Sequence, residues 1–122
     1  MASELGTEFA EAMAAKDFQR CGGLLASDVD FRGLTPNRLW EASSPSQVVN
    51  EILGRWLEES DHIDELLDVT TGSVSDREHV SYRMRGHNDD GPFVVEQQAY
   101  FTENEGRIDW IRVLCSGFRP AP

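Results

Sequence analysis

The sequence has a single lysine, Lys16, and only eleven basic residues against twenty-two acidic ones, a formal charge of −11 in 122 residues. That balance repels polyanions, which excludes nucleic acid and an anionic membrane surface as expected partners. The other ten basic residues are arginines, a bias attributable to genome composition. Cysteine is scarce too. Cys21 and Cys115 lie far apart in no CxxC or zinc spacing, so two reduced thiols in a reducing compartment are expected. No stretch approaches the ~20 apolar residues that span a bilayer. The segment Met1 to Glu11 is acidic rather than basic and then apolar, so no signal peptide is expected and the protein is placed in the cytoplasm.

What is present suits one globular domain over 1–122, with 39% hydrophobic and 9% aromatic residues. Helical spacing comes first: Leu5, Phe9, Ala12 and Met13 make one apolar face, with Glu4, Glu8 and Glu11 outside it. Asp17 caps a second, shorter helix with Phe18, Cys21, Leu24 and Leu25 as its stripe, weakened by Gly22 and Gly23. Ser44, Pro45 and Gln47 form a capping box for a third, from Pro45 to about Glu59, carrying Val48, Val49, Ile52, Leu53, Trp56 and Leu57.

Strand alternation takes over elsewhere. Val29 to Leu34 reads as a short strand and Thr35 to Ser43 as a loop. Strands follow through Leu66–Thr71, Val80–Arg85, Phe93–Glu103 and Arg107–Ser116, with turns at Ser75–Glu78, Asn88–Gly91 and Asn104–Gly106 and a frayed tail over 120–122. Helices followed by a strand meander imply an α+β domain, its three helices packed on the concave face of a strongly curved, mainly antiparallel sheet. By simple alternation Asp109, Ile111, Val113 and Cys115 share the inner face. Ile108, Trp110, Arg112 and Leu114 share the outer one, where Ile108, Trp110 and Leu114 predict a homodimer and Arg112 meets acidic groups of a second subunit.

The order of elements resembles the nuclear transport factor 2-like superfamily, with its SnoaL-like polyketide cyclases, ketosteroid isomerases and limonene epoxide hydrolases. Lys16-Asp17-Phe18 after the first helix, Asp28-Val29-Asp30-Phe31 at the first strand and Gly106-Arg107-Ile108 before the last carry the resemblance. It implies a cone-shaped cup over roughly Leu5 to Phe118, a SnoaL-like domain whose function varies from member to member. The catalytic sets the resemblance implies are not intact. The ketosteroid isomerase tyrosine falls at Phe9, its general base near Gly33 and its oxyanion-hole acid at Gln97. The epoxide hydrolase arginine and aspartates fall at Met84, Gly86 and Val113.

Strand parity also defines a pocket independently of any family. Phe93, Val95, Gln97, Ala99 and Phe101 face the helices, with Tyr82 and Met84 beside them. The polar groups there are Gln97, Tyr82 and Asp109, and Trp40 and Trp56 wall the space; Phe9, Val113 and Cys115 complete the expected ligand contacts. The first reading is a binding pocket for a small, largely apolar molecule anchored by Gln97. The alternative is a cofactor-independent isomerase, dehydratase, cyclase or hydrolase in which Asp109 takes a proton and Tyr82 or Gln97 stabilises an oxyanion. A third is a non-catalytic dimeric interaction module. Plainer roles stand beside these: Gln97 satisfying a buried backbone group, Tyr82 as core, Asp109 solvated or paired with Arg107 or Arg112, and Cys115 as an inert thiol. His62, His79 and His87 fall at element ends, and Asp89 and Asp90 beside His87 suit a hairpin turn. No metal or cofactor is expected.

Overall fold

The computed structural model describes residues 4–121. Three helices pack on one side of a single seven-stranded sheet, the α+β cone expected from the sequence. Helix α1 is Leu5–Ala14 and buries Leu5, Phe9, Ala12 and Met13 as their spacing requires. Helix α2 is Phe18–Gly23; the Asp17 carboxylate accepts the Arg20 N–H at its start. It ends before Leu24 and Leu25, because the two glycines stop it and Leu25 already belongs to the sheet.

Helix α3 covers 45–56. The Ser44 hydroxyl accepts the Gln47 N–H at 3.2 Å, while the Gln47 side chain reaches back to the Ser43 N–H at 2.9 Å, one residue earlier than a standard box. Its middle, Val48–Leu53, widens into a π turn before Gly54–Trp56 closes the helix, short of the expected Glu59.

The strands are β1 Leu25–Thr35, β2 Arg38–Ala42, β3 His62–Val74, β4 Arg77–Asn88, β5 Gly91–Asn104, β6 Arg107–Cys115 and β7 Arg119–Pro120. Their spatial order is β2-β1-β6-β5-β4-β3, antiparallel except for the β1–β6 pair, and β7 pairs with β5. Two readings are corrected here. The expected loop over 35–43 contains β2, which pairs with β1 from Phe31–Ala42 to Thr35–Arg38. The expected tail is held as far as Pro120: Gly117, at a φ of +73°, turns the chain so that β7 resumes along Phe93 and Val94, and Phe118 stacks on Phe93 at 4.3 Å. Pro122 lies outside the described residues.

The bulge between β5 and β6 matters most for the site. Thr102 faces Trp110 and Glu103 faces Ile108, leaving Asp109 as the extra residue. Inward and outward positions therefore exchange at Asp109. Ile108 joins Ile111, Val113 and Cys115 in the core, fully buried, and is not on the outer face as simple alternation places it.

Lys16 has a structural task that its rarity did not reveal. At a φ of +55° it ends α1, and its ammonium donates to the carbonyls of Glu58 at 2.5 Å and Asp61 at 2.7 Å. The buried Asp61 carboxylate accepts from the Glu58 N–H and the Asn88 amide, each at 2.9 Å, so one polar knot joins α1, the α3–β3 loop and the end of β4.

Candidate functional site

The side chains read from parity as inward do point inward: Phe93, Val95, Gln97, Ala99 and Phe101 on β5, and Tyr82 and Met84 on β4, are buried, and Val80 joins them. Among them runs a short polar chain. The Tyr82 hydroxyl donates to Gln97 Oε1 at 2.5 Å, and Gln97 Nε2 donates to Cys115 Sγ at 3.4 Å. Both ends of the Gln97 amide are thus engaged within the protein, which satisfies a group that would cost ~1–3 kcal/mol if left unpaired. Burial pushes the Tyr82 hydroxyl well above its ordinary pKa, reinforced by the thiols of Cys21 and Cys115, so it stays a neutral donor.

The structure does not bring Asp109 to this group. Its carboxylate accepts the Thr102 hydroxyl at 2.5 Å, on the bulge, and Thr102 stands five residues along β5 from Gln97. Arg107 and Arg112 do not pair with it: Arg107 donates to the Gly23 carbonyl, and Arg112 meets Asp30 at 3.1 Å. Arg112 thus has an acidic partner, Asp30, within its own chain. On the other flank Arg83 pairs with Glu96 at 2.8 Å. His87 turns to Asp64 at 2.8 Å instead of to Asp89 or Asp90.

An open cleft of about 550 Å³ lies one side chain beyond Gln97, with Cys115 between them. Three separate segments form it: the β1–β2 hairpin with Trp40, the end of α3 with Arg55 and Trp56, and 115–119 with Phe118 and Arg119. Trp40 and Trp56 meet edge to face at 6.4 Å, and Phe31 backs Trp56 at 6.0 Å. Gly33 makes the seat for Trp56. A Cβ there would come within 2.5 Å of the indole ring, so the position near which the resemblance puts a general base holds an aromatic wall instead.

Of the expected ligand contacts, Trp40, Trp56 and Cys115 line this cleft, while Gln97 and Tyr82 stand behind it. Phe9, Met84 and Val113 are core residues, 1%, 0% and 3% exposed. Sequence reasoning missed Arg55, which lay within the third helix but off its apolar stripe, and Phe118 and Arg119, which fell unassigned between the last strand and the tail. The sequence signal was present in Gly117, which permits the turn that brings Phe118 and Arg119 back to the sheet.

The two indoles differ in one respect. Trp40 Nε1 donates to the Thr35 hydroxyl at 3.0 Å, whereas Trp56 Nε1 is the one buried side-chain nitrogen or oxygen among the described residues without a partner.

A helix-filled cone opening on a lateral cleft defines the nuclear transport factor 2-like fold, and solved structures of that fold superpose on this chain. An NTF2-like protein from Burkholderia thailandensis matches with a TM-score of 0.69 at 14% identity, over 95% of this chain and 92% of its own. A protein of ketosteroid isomerase-like fold from Catenulispora acidiphila, in complex with trimethylamine, matches with a TM-score of 0.70 at 16% identity, over 95% and 88%. A candidate isomerase from Bacillus subtilis matches with a TM-score of 0.76 at 15% identity, over 93% and 84%. No protein-family model and no curated protein sequence matches the chain. At these identities the likeness is one of fold.

Proposed function

We propose that this chain is a SnoaL-like cup, a single domain over 1–122, that binds a small molecule with a largely apolar body in the Trp40/Trp56 cleft. The observation that carries the reading is the cleft itself: two indoles and the Phe118 ring around a space within the ~300–1,000 Å³ typical of ligand pockets. Crystallisation of the Catenulispora protein with trimethylamine supports small-molecule binding on this fold. An acid–base reaction through Asp109 loses its support, since Asp109 is held on the bulge by Thr102. Two free thiols favour a cytoplasmic setting.

A flat neutral probe such as 2-naphthamide is expected to raise the melting temperature and quench tryptophan emission, with both effects lost in Trp40→Ala. A series of neutral and charged naphthalenes that leaves both signals unmoved would overturn the reading.

A second reading concerns assembly. Leu39, Leu34 and Leu114 lie in register across β2, β1 and β6 on the outer face, 52%, 49% and 52% exposed. We infer that this row, with no part for the buried Ile108, covers itself against a second copy. Trp110 needs no such cover, because Arg77 and Arg112 lie over its ring at 4.3 and 4.2 Å. Sedimentation at micromolar concentration is expected to give the mass of two chains, and Leu34→Asp with Leu114→Asp the mass of one. A wild-type monomer contradicts this.

A further inference from the structure

We propose that the cleft selects a small aromatic carboxylate, its flat body among the indoles and Phe118 and its acid group met by Trp56 Nε1, Arg55 and Arg119. This rests on the reading that the cleft holds a small molecule, and adds the charge and the polarity of that molecule.

The distribution of arginines carries the argument. Arg20, Arg32, Arg77, Arg83, Arg85 and Arg112 each lie within 4 Å of a carboxylate, as a chain with twice as many acids as bases makes easy. Arg107 is spent on a backbone carbonyl. The remaining three gather at one place. Arg55 and Arg119 line the cleft, neither with an acceptor among the described residues, and the Arg38 guanidinium lies 3.8 Å over the Trp40 ring. None of the eleven residues lining the cleft is acidic, although 22 of the chain's 122 residues are. The cleft is therefore a locally cationic opening in an anionic protein. An anion there escapes the repulsion it meets elsewhere on the surface, and exposed guanidiniums suit the geometry of a carboxylate.

The orphan indole fixes orientation. Trp56 is 8% exposed, and a buried N–H finds an acceptor in nearly every folded protein. In the same cleft Trp40 has found one in Thr35. Trp56 has none from the protein, and its residue lines the cleft beside Arg55 on the same helix end, although Nε1 itself has no exposed surface. A small turn of the indole toward the cleft brings this N–H to a carboxylate oxygen while the second oxygen faces a guanidinium, which leaves the ring of the ligand against Trp40 and Phe118.

Two probes of equal shape separate charge from shape: 2-naphthoate and 2-naphthamide, titrated by quenching of tryptophan emission and by thermal shift. The carboxylate is expected to bind about tenfold or more tightly than the amide at low salt, the preference shrinking as ionic strength rises. Arg55→Gln combined with Arg119→Gln changes exposed side chains only and so keeps the fold. It is expected to bring the carboxylate down to about the affinity of the amide, the loss for the carboxylate being at least several-fold larger than any loss for the amide. Trp56→Phe, which keeps a ring and loses the N–H, is expected to weaken the carboxylate several-fold more than the amide. Equal affinities of the two probes for the native protein, or a carboxylate preference that survives the double arginine substitution, would overturn the proposal and leave the small-molecule reading standing. Failure of both probes to bind would overturn both.

Discussion

Gly86→Ala is expected to cost roughly 3 kcal/mol or more of folding stability, lowering the melting temperature by some ten degrees, whereas Gly72→Ala raises it slightly. Both glycines lie in the β3–β4 ribbon, and both receive the same methyl group. At Gly72 a Cβ meets nothing within 4 Å, so the substitution acts on the unfolded chain alone, by removing conformational freedom. At Gly86 a Cβ would lie 2.0 Å from the His62 carbonyl oxygen and 2.9 Å from the Phe93 ring. A backbone oxygen in a paired strand cannot swing aside as a side chain does. The approach is close because the β3–β4 register slips between Ile63 and Glu65, a bulge at Asp64 that also lets Asp64 reach His87 and His62 stack on His87 at 5.0 Å. Thermal unfolding followed by circular dichroism checks the pair, and equal melting temperatures for the two variants would contradict the bulge. The same geometry explains why Gly86 cannot carry the aspartate that the resemblance to epoxide hydrolases puts there: the position admits no side chain.

The parts of this fold that were legible in the sequence are those that repeat over several residues. Leu5, Phe9, Ala12 and Met13 mark a helix face because four positions agree, and Phe93 to Phe101 mark a strand face because five do. Features made by one residue stayed hidden. The bulge at Asp109 adds a single position and exchanges the faces on either side of it, which moved Ile108 from a supposed interface into the core and removed Asp109 from the pocket. The π turn in α3 likewise has no signature beyond a slightly irregular apolar stripe. Strand β2 was missed for another reason: at the edge of the sheet it buries only Ala42, so no alternation marks it, and Pro36-Asn37 made the whole stretch look like loop. The cleft was the least legible feature, since it joins segments near residues 36, 55 and 117 that only tertiary structure brings together. Trp40 and Trp56 were named as residue types that wall pockets and Cys115 by strand parity, and all three line the cleft; Arg55 and Arg119 were not named, because an arginine without a partner can be recognised only once the partners of the others are known.

Stability is expected to fall steeply above pH 9, and the cause lies in two neighbouring core groups. Cys21 is fully buried, and burial pushes its thiol from 9.0 up to about 12, with the Asp17 carboxylate adding to the shift and Arg20 opposing it. Tyr82 is raised from 10.0 by burial and then by Cys21 and Cys115. In each case the folded state keeps a proton that the unfolded chain gives up. The stabilisation is therefore fully present below pH 9. It declines by about 1.4 kcal/mol per pH unit for Cys21 from there upward, and by as much again for Tyr82 above pH 10. Against a total of roughly 5–15 kcal/mol, two units of pH remove a large share. Urea midpoints at pH 7, 9, 10 and 11 measure it, and a midpoint constant from pH 7 to 11 would contradict the burial of both groups. Cys21→Ala is expected to be nearly flat between pH 9 and 10, because, of these two groups, it is chiefly the Cys21 thiol that titrates there in the unfolded chain. It should decline above pH 10 through Tyr82. Its effect and that of Tyr82→Phe will not add, because each group raises the other's cost of ionising, and because Tyr82→Phe also strips Gln97 Oε1 of its donor, a loss of ~1–3 kcal/mol already present at pH 7.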